Sequence, residues 1–216
     1  MLTDPQIVTA MQMIMDEFPQ AGPSLDARTN FQYMISVVLS AQTTDKAVNK
    51  ITPKLFQKYP NPEDLAQATV PEVEELIKSI GLYHNKARHI IACAQEVLAN
   101  FGGEVPHTKK ELTTLSGVGT KTANVVLADR FQVPAFAVDT HVSHISQRLH
   151  FVAPKSSVQV VEKRVTQALD PKDWIHGHHA LIEMGRKYNF NNEAQIKDLP
   201  VVRQCDQWEQ ENQLSD

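Results

Sequence analysis

Apolar residues recur along the chain at spacings of three and four, the period of a helix with one buried face. Ile7, Val8, Met11, Ile14, Met15 and Phe18 line one such face, and Thr3-Asp4-Pro5 ahead of them supplies a helix start with proline in the first turn. Phe31, Met34, Ile35, Val38 and Leu39 form a second stripe; Ala47, Val48, Ile51, Leu55 and Phe56 form a third, in which Pro53 predicts a kink or a split. Residues 71–80 read as a short helix closed by Gly81, and residues 87–101 carry Ile90, Ile91, Ala94, Val97, Leu98 and Phe101 at helical spacing. Thr108 with Glu111 makes a capping box. Alternating apolar and polar runs are nearly absent and no internal repeat is evident, so the pattern predicts an all-α fold.

Between two helical runs, at residues 111–115 and 121–128, lies Leu115-Ser116-Gly117-Val118-Gly119-Thr120-Lys121-Thr122-Ala123-Asn124; Val138-Asp139-Thr140-His141 follows. Two glycines around one apolar residue permit a tight turn with positive φ and leave backbone N–H groups uncovered. Those amides sit where the second run begins, and the helix dipole there favours an anion such as a phosphate. The same helix end disfavours a cation, which makes a lysine in its first turn a candidate nucleophile. A purely structural turn is the plainer alternative. Glycine spacing and the lack of a preceding strand exclude a nucleotide-binding phosphate loop. Asp139 precedes a helical run at residues 140–149, so its plain role is an N-cap accepting backbone amides. A carboxylate held that way could also stabilise developing positive charge.

Length and composition narrow the classes. With 216 residues, 42% of them hydrophobic, the chain can bury a substantial core as one large domain or two packed lobes. No apolar run reaches membrane-spanning length and the N-terminus lacks a signal-peptide pattern, so a cytoplasmic, nucleoid-associated protein with no membrane partner is expected. Cys93 and Cys205, the two cysteines, support neither a disulfide framework nor a cysteine metal site, and Cys93 reads as a core thiol. A formal net charge of −4 argues weakly against nucleic acid. That charge is uneven: from Glu193 onward six acidic residues face two basic ones, whereas residues 109–187 hold eleven basic and seven acidic. Lys46, Lys50, Lys54 and Lys58 recur every four residues, either as phosphate contacts or as a solvated helix face. His141 and His144, and the group His176, His178 and His179, lack a further ligand at zinc spacing, so no metal site is expected.

LSGVGTKTANVVL followed by AVDTHV, together with SVVLSAQTTDKAVNK at residues 36–50, IKSIGLYHNKA at 77–87 and GEVPHTKKEL at 103–112, resembles the endonuclease III family of DNA glycosylases. The motifs stand in the family's order and carry its helix-hairpin-helix and Gly/Pro…Asp signature, over roughly residues 5 to 188. The resemblance implies a two-lobed helix-hairpin-helix glycosylase fold with the active-site groove between the lobes. One lobe would be a helical barrel over residues 23–133, and the other would combine residues 1–22 with 134–216.

It further implies a bifunctional DNA glycosylase and abasic-site lyase of base excision repair, acting on oxidised or damaged pyrimidines in double-stranded DNA, with a monomer sufficing. In the family a lysine amine attacks C1′ of the damaged nucleotide and expels the base; the resulting Schiff base promotes β-elimination on the 3′ side. Lys121 matches that nucleophile and Asp139 its electrostatic and proton-transfer partner. The related adenine glycosylases lack the lysine. Gly117, Val118, Gly119 and Thr120 would grip the DNA backbone, and His141 would meet it as well. Gln42 matches the polar wedge facing the orphan base, Leu82 the apolar wedge between base steps, and Asp45 a helix cap or substrate contact. The hairpin could hold a monovalent cation through backbone carbonyls, as similar hairpins do.

One departure stands out. Most members carry four cysteines after a Gly-Arg segment, spaced to hold a [4Fe–4S] cluster. Here Met184-Gly185-Arg186-Lys187-Tyr188-Asn189-Phe190 leads into a polar, acidic tail whose one cysteine is Cys205, so no cluster is expected and residues 196–208 are predicted to pack in its place. Two other readings stay open: a same-fold enzyme specialised for abasic sites or another damaged base, and a catalytically silent DNA-binding module.

Overall fold

A computed structural model describes residues 1–215, and thirteen α-helices with one 3-10 turn carry their fold, without a strand among the described residues. Helix α1 (Asp4–Glu17) opens with Thr3, which donates its backbone N–H to Gln6 Oε1 at 2.8 Å, and buries Ile7, Ala10, Met11, Ile14 and Met15. The chain divides into two compact units: Ser24–Val133, and Met1–Pro23 together with the chain from Pro134 onward.

In the continuous unit, α2 (Asn30–Leu39) is buried at every residue from Phe31 to Leu39, so it forms the unit's centre. Helix α3 (Asp45–Lys58) runs unbroken through Pro53, so the proline does not split it. Val48, Ile51, Thr52 and Leu55 are buried on both sides of the proline, and that packing outweighs one missing backbone hydrogen bond. Helix α4 (Pro62–Ala66) packs on α6 (Tyr83–Phe101), as does α5 (Val70–Ile77). Helix α5 ends at Ile77 rather than at Gly81, and α6 begins a full turn ahead of the apolar pattern, directly after Leu82. That first turn, Tyr83-His84-Asn85-Lys86, reads as polar; nevertheless the Lys86 side chain is buried. A four-residue α7 (Lys109–Leu112), capped by Thr108, precedes the glycine turn, and α8 (Thr120–Phe131) follows it against α2.

The discontinuous unit gathers α1, α9 (Thr140–Arg148), α10 (Val158–Ala168), a 3-10 turn at Pro171–Asp173, α11 (Trp174–Lys187), α12 (Glu193–Ile196) and α13 (Pro200–Ser215). Its core joins Ile7, Met11 and Ile14 to Val142, Ile145, Leu149, Phe151, Val161, Leu181 and Met184. Ile196, Val201, Val202 and Cys205 from the acidic tail complete it, with Trp208 packed against its edge. A tail that reads as polar in sequence is thus an amphipathic helix docked on α1. Among the described residues no helix is long and apolar enough to cross a membrane.

Candidate functional site

In the continuous unit the glycine turn is built by three constraints. Gly117 has φ +80°, and a Cβ added there would lie 2.9 Å from Val38 Cγ1 and 3.1 Å from His89 Cβ. Glycine is therefore required twice, by conformation and by the close approach of α2 and α6. Val118 is buried, anchoring the turn from inside. Ser116 donates its N–H to Glu96 Oε2 at 2.6 Å and its hydroxyl to Glu96 Oε1 at 2.7 Å, so both carboxylate oxygens of Glu96 bolt the turn to α6. Sequence reading missed Glu96: an acidic residue on a helix gives no signal of a partner twenty residues on.

Gly119 is the N-cap of α8 and offers no side chain to the helix end, whereas α2, α3, α4, α7, α9 and α10 each begin with a side-chain acceptor. A Cβ built on Gly119 would meet nothing within 4 Å. Thr120 and Lys121 stand exposed in the first turn beside these uncapped amides. Such an end attracts an anion through its N–H groups and dipole, with a primary amine one residue along.

Two loops of the same unit hold the wedge candidates, and both share a feature invisible in the sequence. Gln42 and Leu82 are exposed and left-handed, at φ +54° and +59°. Each such non-glycine residue costs about 1–2 kcal/mol, and persists only where its surroundings fix it. Leu82 is 54% exposed although large and apolar. It stands directly ahead of α6, at that helix's N-cap position. Asp45 is the first residue of α3 and not its cap, since Thr44 accepts the Ala47 N–H at 3.2 Å. The Ser24 hydroxyl donates to the Asp45 carboxylate. Asp45 also adds to the rise in the Tyr33 hydroxyl's pKa, which comes first from burial and then from Asp129.

Asp139 and His141 lie in the discontinuous unit, at the start of α9. Asp139 Oδ1 accepts the Val142 N–H at 2.9 Å, leaving its second oxygen outside the cap. His141 is exposed and seated on α11: a Cβ added to Gly185 would fall 2.7 Å from both Cβ and Nδ1 of His141. Gly185 therefore gives the imidazole its seat. Among the described residues no group of three His, Cys, Asp or Glu could hold a metal ion. His178 packs edge-on to Phe136 with ring centroids 5.9 Å apart, and His176 Nε2 contacts the Phe18 carbonyl at 3.0 Å.

Residues 35–171 match the model of the HhH-GPD superfamily base excision DNA repair proteins. The chain is similar to endonuclease III of Bacillus subtilis (strain 168), 42% identical over 205 residues that cover 95% of this chain and 94% of that protein. Among solved structures it is similar to a non-covalent endonuclease III–DNA complex, at 41% identity and TM-score 0.91 over 99% of this chain and 100% of that one. A trapped endonuclease III–DNA covalent intermediate gives 40% identity and TM-score 0.90, covering 98% of this chain and 100% of that one.

Proposed function

Because the chain belongs to the HhH-GPD superfamily, and within it to the endonuclease III family, we propose that it excises oxidised or otherwise damaged pyrimidines from duplex DNA and cuts the strand through a lysine Schiff base. It is a DNA glycosylase and lyase of base excision repair. The observation that carries the chemistry is Lys121, exposed in the first turn of a helix that lacks a side-chain cap and follows a glycine turn. A phosphate bound by those amides would bring the neighbouring sugar within reach of the lysine.

Lys121 Nζ attacks C1′ of the flipped nucleotide, the N-glycosidic bond breaks, and its electron pair leaves with the base, which takes up a proton. A proton then passes from the nitrogen of the resulting aminosugar to O4′, and the nitrogen lone pair breaks the C1′–O4′ bond, opening the ring to an iminium ion with a free 4′-hydroxyl. Removal of a C2′ proton then sends electrons toward the iminium and expels the 3′ phosphate. The Asp139 carboxylate offsets positive charge on the sugar and takes part in proton transfer. Gln42 and Leu82 fill the space left by the base, and the hairpin residues Gly117, Val118, Gly119 and Thr120 with His141 hold the DNA backbone. Asp45 is assigned a substrate contact.

The [4Fe–4S] cluster of most relatives does not fit this chain, and we assign it no part in the reaction. Four thiolates are needed, whereas the sequence holds Cys93 and Cys205 alone, one in each unit. Both are buried, and burial pushes each thiol up to about 12, away from the ligating thiolate. Helices α12 and α13 take up the tail that would otherwise carry cluster ligands. A monovalent cation on the hairpin carbonyls, a single copy per DNA site and residence with the nucleoid in the cytoplasm complete the reading.

Borohydride trapping on duplexes containing one thymine glycol or one abasic site tests it. Covalent complex on both with the wild type, absent with Lys121→Ala, is the expected result. Trapping on the abasic duplex alone would move the substrate to abasic sites. Absence on both would replace the enzyme by a binding module.

A further inference from the structure

Lys86 is a buried cation to which the reaction above assigns nothing. It lies one turn into α6, where its N–H bonds to the Leu82 carbonyl at 3.0 Å, and its side chain is directed away from solvent with 4% of the residue exposed. Nζ donates to Thr43 Oγ1 at 2.7 Å. Thr43 is the neighbour of Gln42 and closes that loop by donating its own N–H to the Ser40 carbonyl at 3.0 Å. One side chain thus ties the turn that presents Leu82 to the loop that presents Gln42. Both presented residues are exposed, and both are held in left-handed backbone that side chains rarely adopt.

A lysine is an expensive choice for such a tie. Removing an ammonium from water is costly, and burial here holds the Lys86 amine below the usual lysine range. An apolar residue of similar volume would fill the slot without that cost. What the ammonium adds is a short, directional, charge-assisted hydrogen bond to a particular hydroxyl on a different element. That bond fixes one loop against the other, as two independently strained loops would require in order to enter DNA together.

We propose that Lys86 is a positioning residue that couples the Gln42 and Leu82 loops, so that the two wedges insert into duplex DNA as one unit. The inference rests on the glycosylase reading and on the wedge roles given above. It assigns Lys86 no contact with the reacting sugar; the coupling acts through Thr43 on one side and the first turn of α6 on the other.

Lys86→Met keeps the volume and removes the donor; Thr43→Val keeps the volume and removes the acceptor. The first readout is the fluorescence of 2-aminopurine placed opposite a tetrahydrofuran abasic analogue, which rises as the orphan position is unstacked. The second is single-turnover excision of thymine glycol from duplex DNA, set against borohydride trapping on single-stranded abasic DNA, where no wedge is needed. Each variant is expected to lose about tenfold in duplex excision relative to single-strand trapping, with a weakened 2-aminopurine signal, about what one lost contact near 1.4 kcal/mol gives. The double variant should be no worse than the weaker single, because both substitutions remove the same bond.

Equal loss on both substrates, or a melting temperature that falls in step with activity, would make Lys86 a support of the fold and overturn the proposal. So would additive effects in the double variant, or none in either single. A wild type that traps on neither substrate would instead sink the glycosylase reading itself, and this proposal with it.

Discussion

At the scale of single residues, the two glycines of the hairpin are alike in sequence and unlike in structure. Gly117 combines φ +80° with a Cβ direction blocked at 2.9 Å by Val38; Gly119 has φ −85° and open space around it. Gly117→Ala should therefore cost about 1–3 kcal/mol, from left-handed strain and displacement of α2 or α6, while Gly119→Ala should stay within about 0.5 kcal/mol. Urea denaturation of the two variants checks this, and equal midpoints would refute the assignment. The Gly-Val-Gly pattern made a turn legible, because few residue types permit one. Which glycine is obligatory depends on Val38 and His89, far away in the chain. Left-handed Gln42 and Leu82 were illegible for the same reason: neither residue type favours that backbone, and only the surrounding packing imposes it. Asp139 was legible as a cap, since aspartate before a helical run has a local reason to accept the Val142 N–H.

Among the elements, the C-terminal helix departs most from what composition implies. Acidic residues of this helix and of α12 before it are engaged: Arg148 donates to Glu193 at 2.8 and 2.6 Å and to Asp206 at 2.7 and 3.0 Å, and His150 Nε2 meets Asp206 at 2.8 Å. Burial pushes the Asp206 carboxyl up, but the bonds from Arg148 and His150 outweigh it and leave a net lowering; Arg148 also holds Glu193 below the ordinary range. Groups depressed in the folded state contribute stability that is fully present above their unfolded value, near 4, and lost as pH falls through their lower folded values. Acid should accordingly loosen α12 and α13 ahead of the rest. Trp208 emission in a Trp174→Phe background, followed from neutral pH to below about pH 3, reports this directly. Arg148→Ala should flatten the acid transition, and an unchanged transition would separate the ion pairs from the docking. Periodicity gives no warning of this helix, whose apolar positions, Val201, Val202 and Cys205, are few and set among glutamines and acids.

For the whole molecule the question is how a chain of net charge −4 binds a polyanion. Its all-α character was legible because each helix carries its own period, yet the pairing of α1 with α11 and α13 is a long-range packing outcome that no local window contains. Charge follows the same division. Six acids from Glu193 onward offset the eleven-to-seven basic excess of residues 109–187, and Glu193, Asp198, Asp206 and Glu209 among them are already paired within the protein. Counterion release depends on the phosphates actually neutralised, not on the sum over the chain. Affinity for a duplex bearing a tetrahydrofuran site should therefore fall steeply with KCl, with a log–log slope of roughly −3 to −5 at about 0.9 per phosphate. Lys46, Lys50 and Lys54 have no ion pair among the described residues, so replacing all three by Gln separates their two readings. A slope smaller in magnitude by about 2–3 would make the row a DNA contact, and an unchanged slope would make it a solvated face. A flat wild-type slope across the titration would contradict the local account altogether and leave net charge in control.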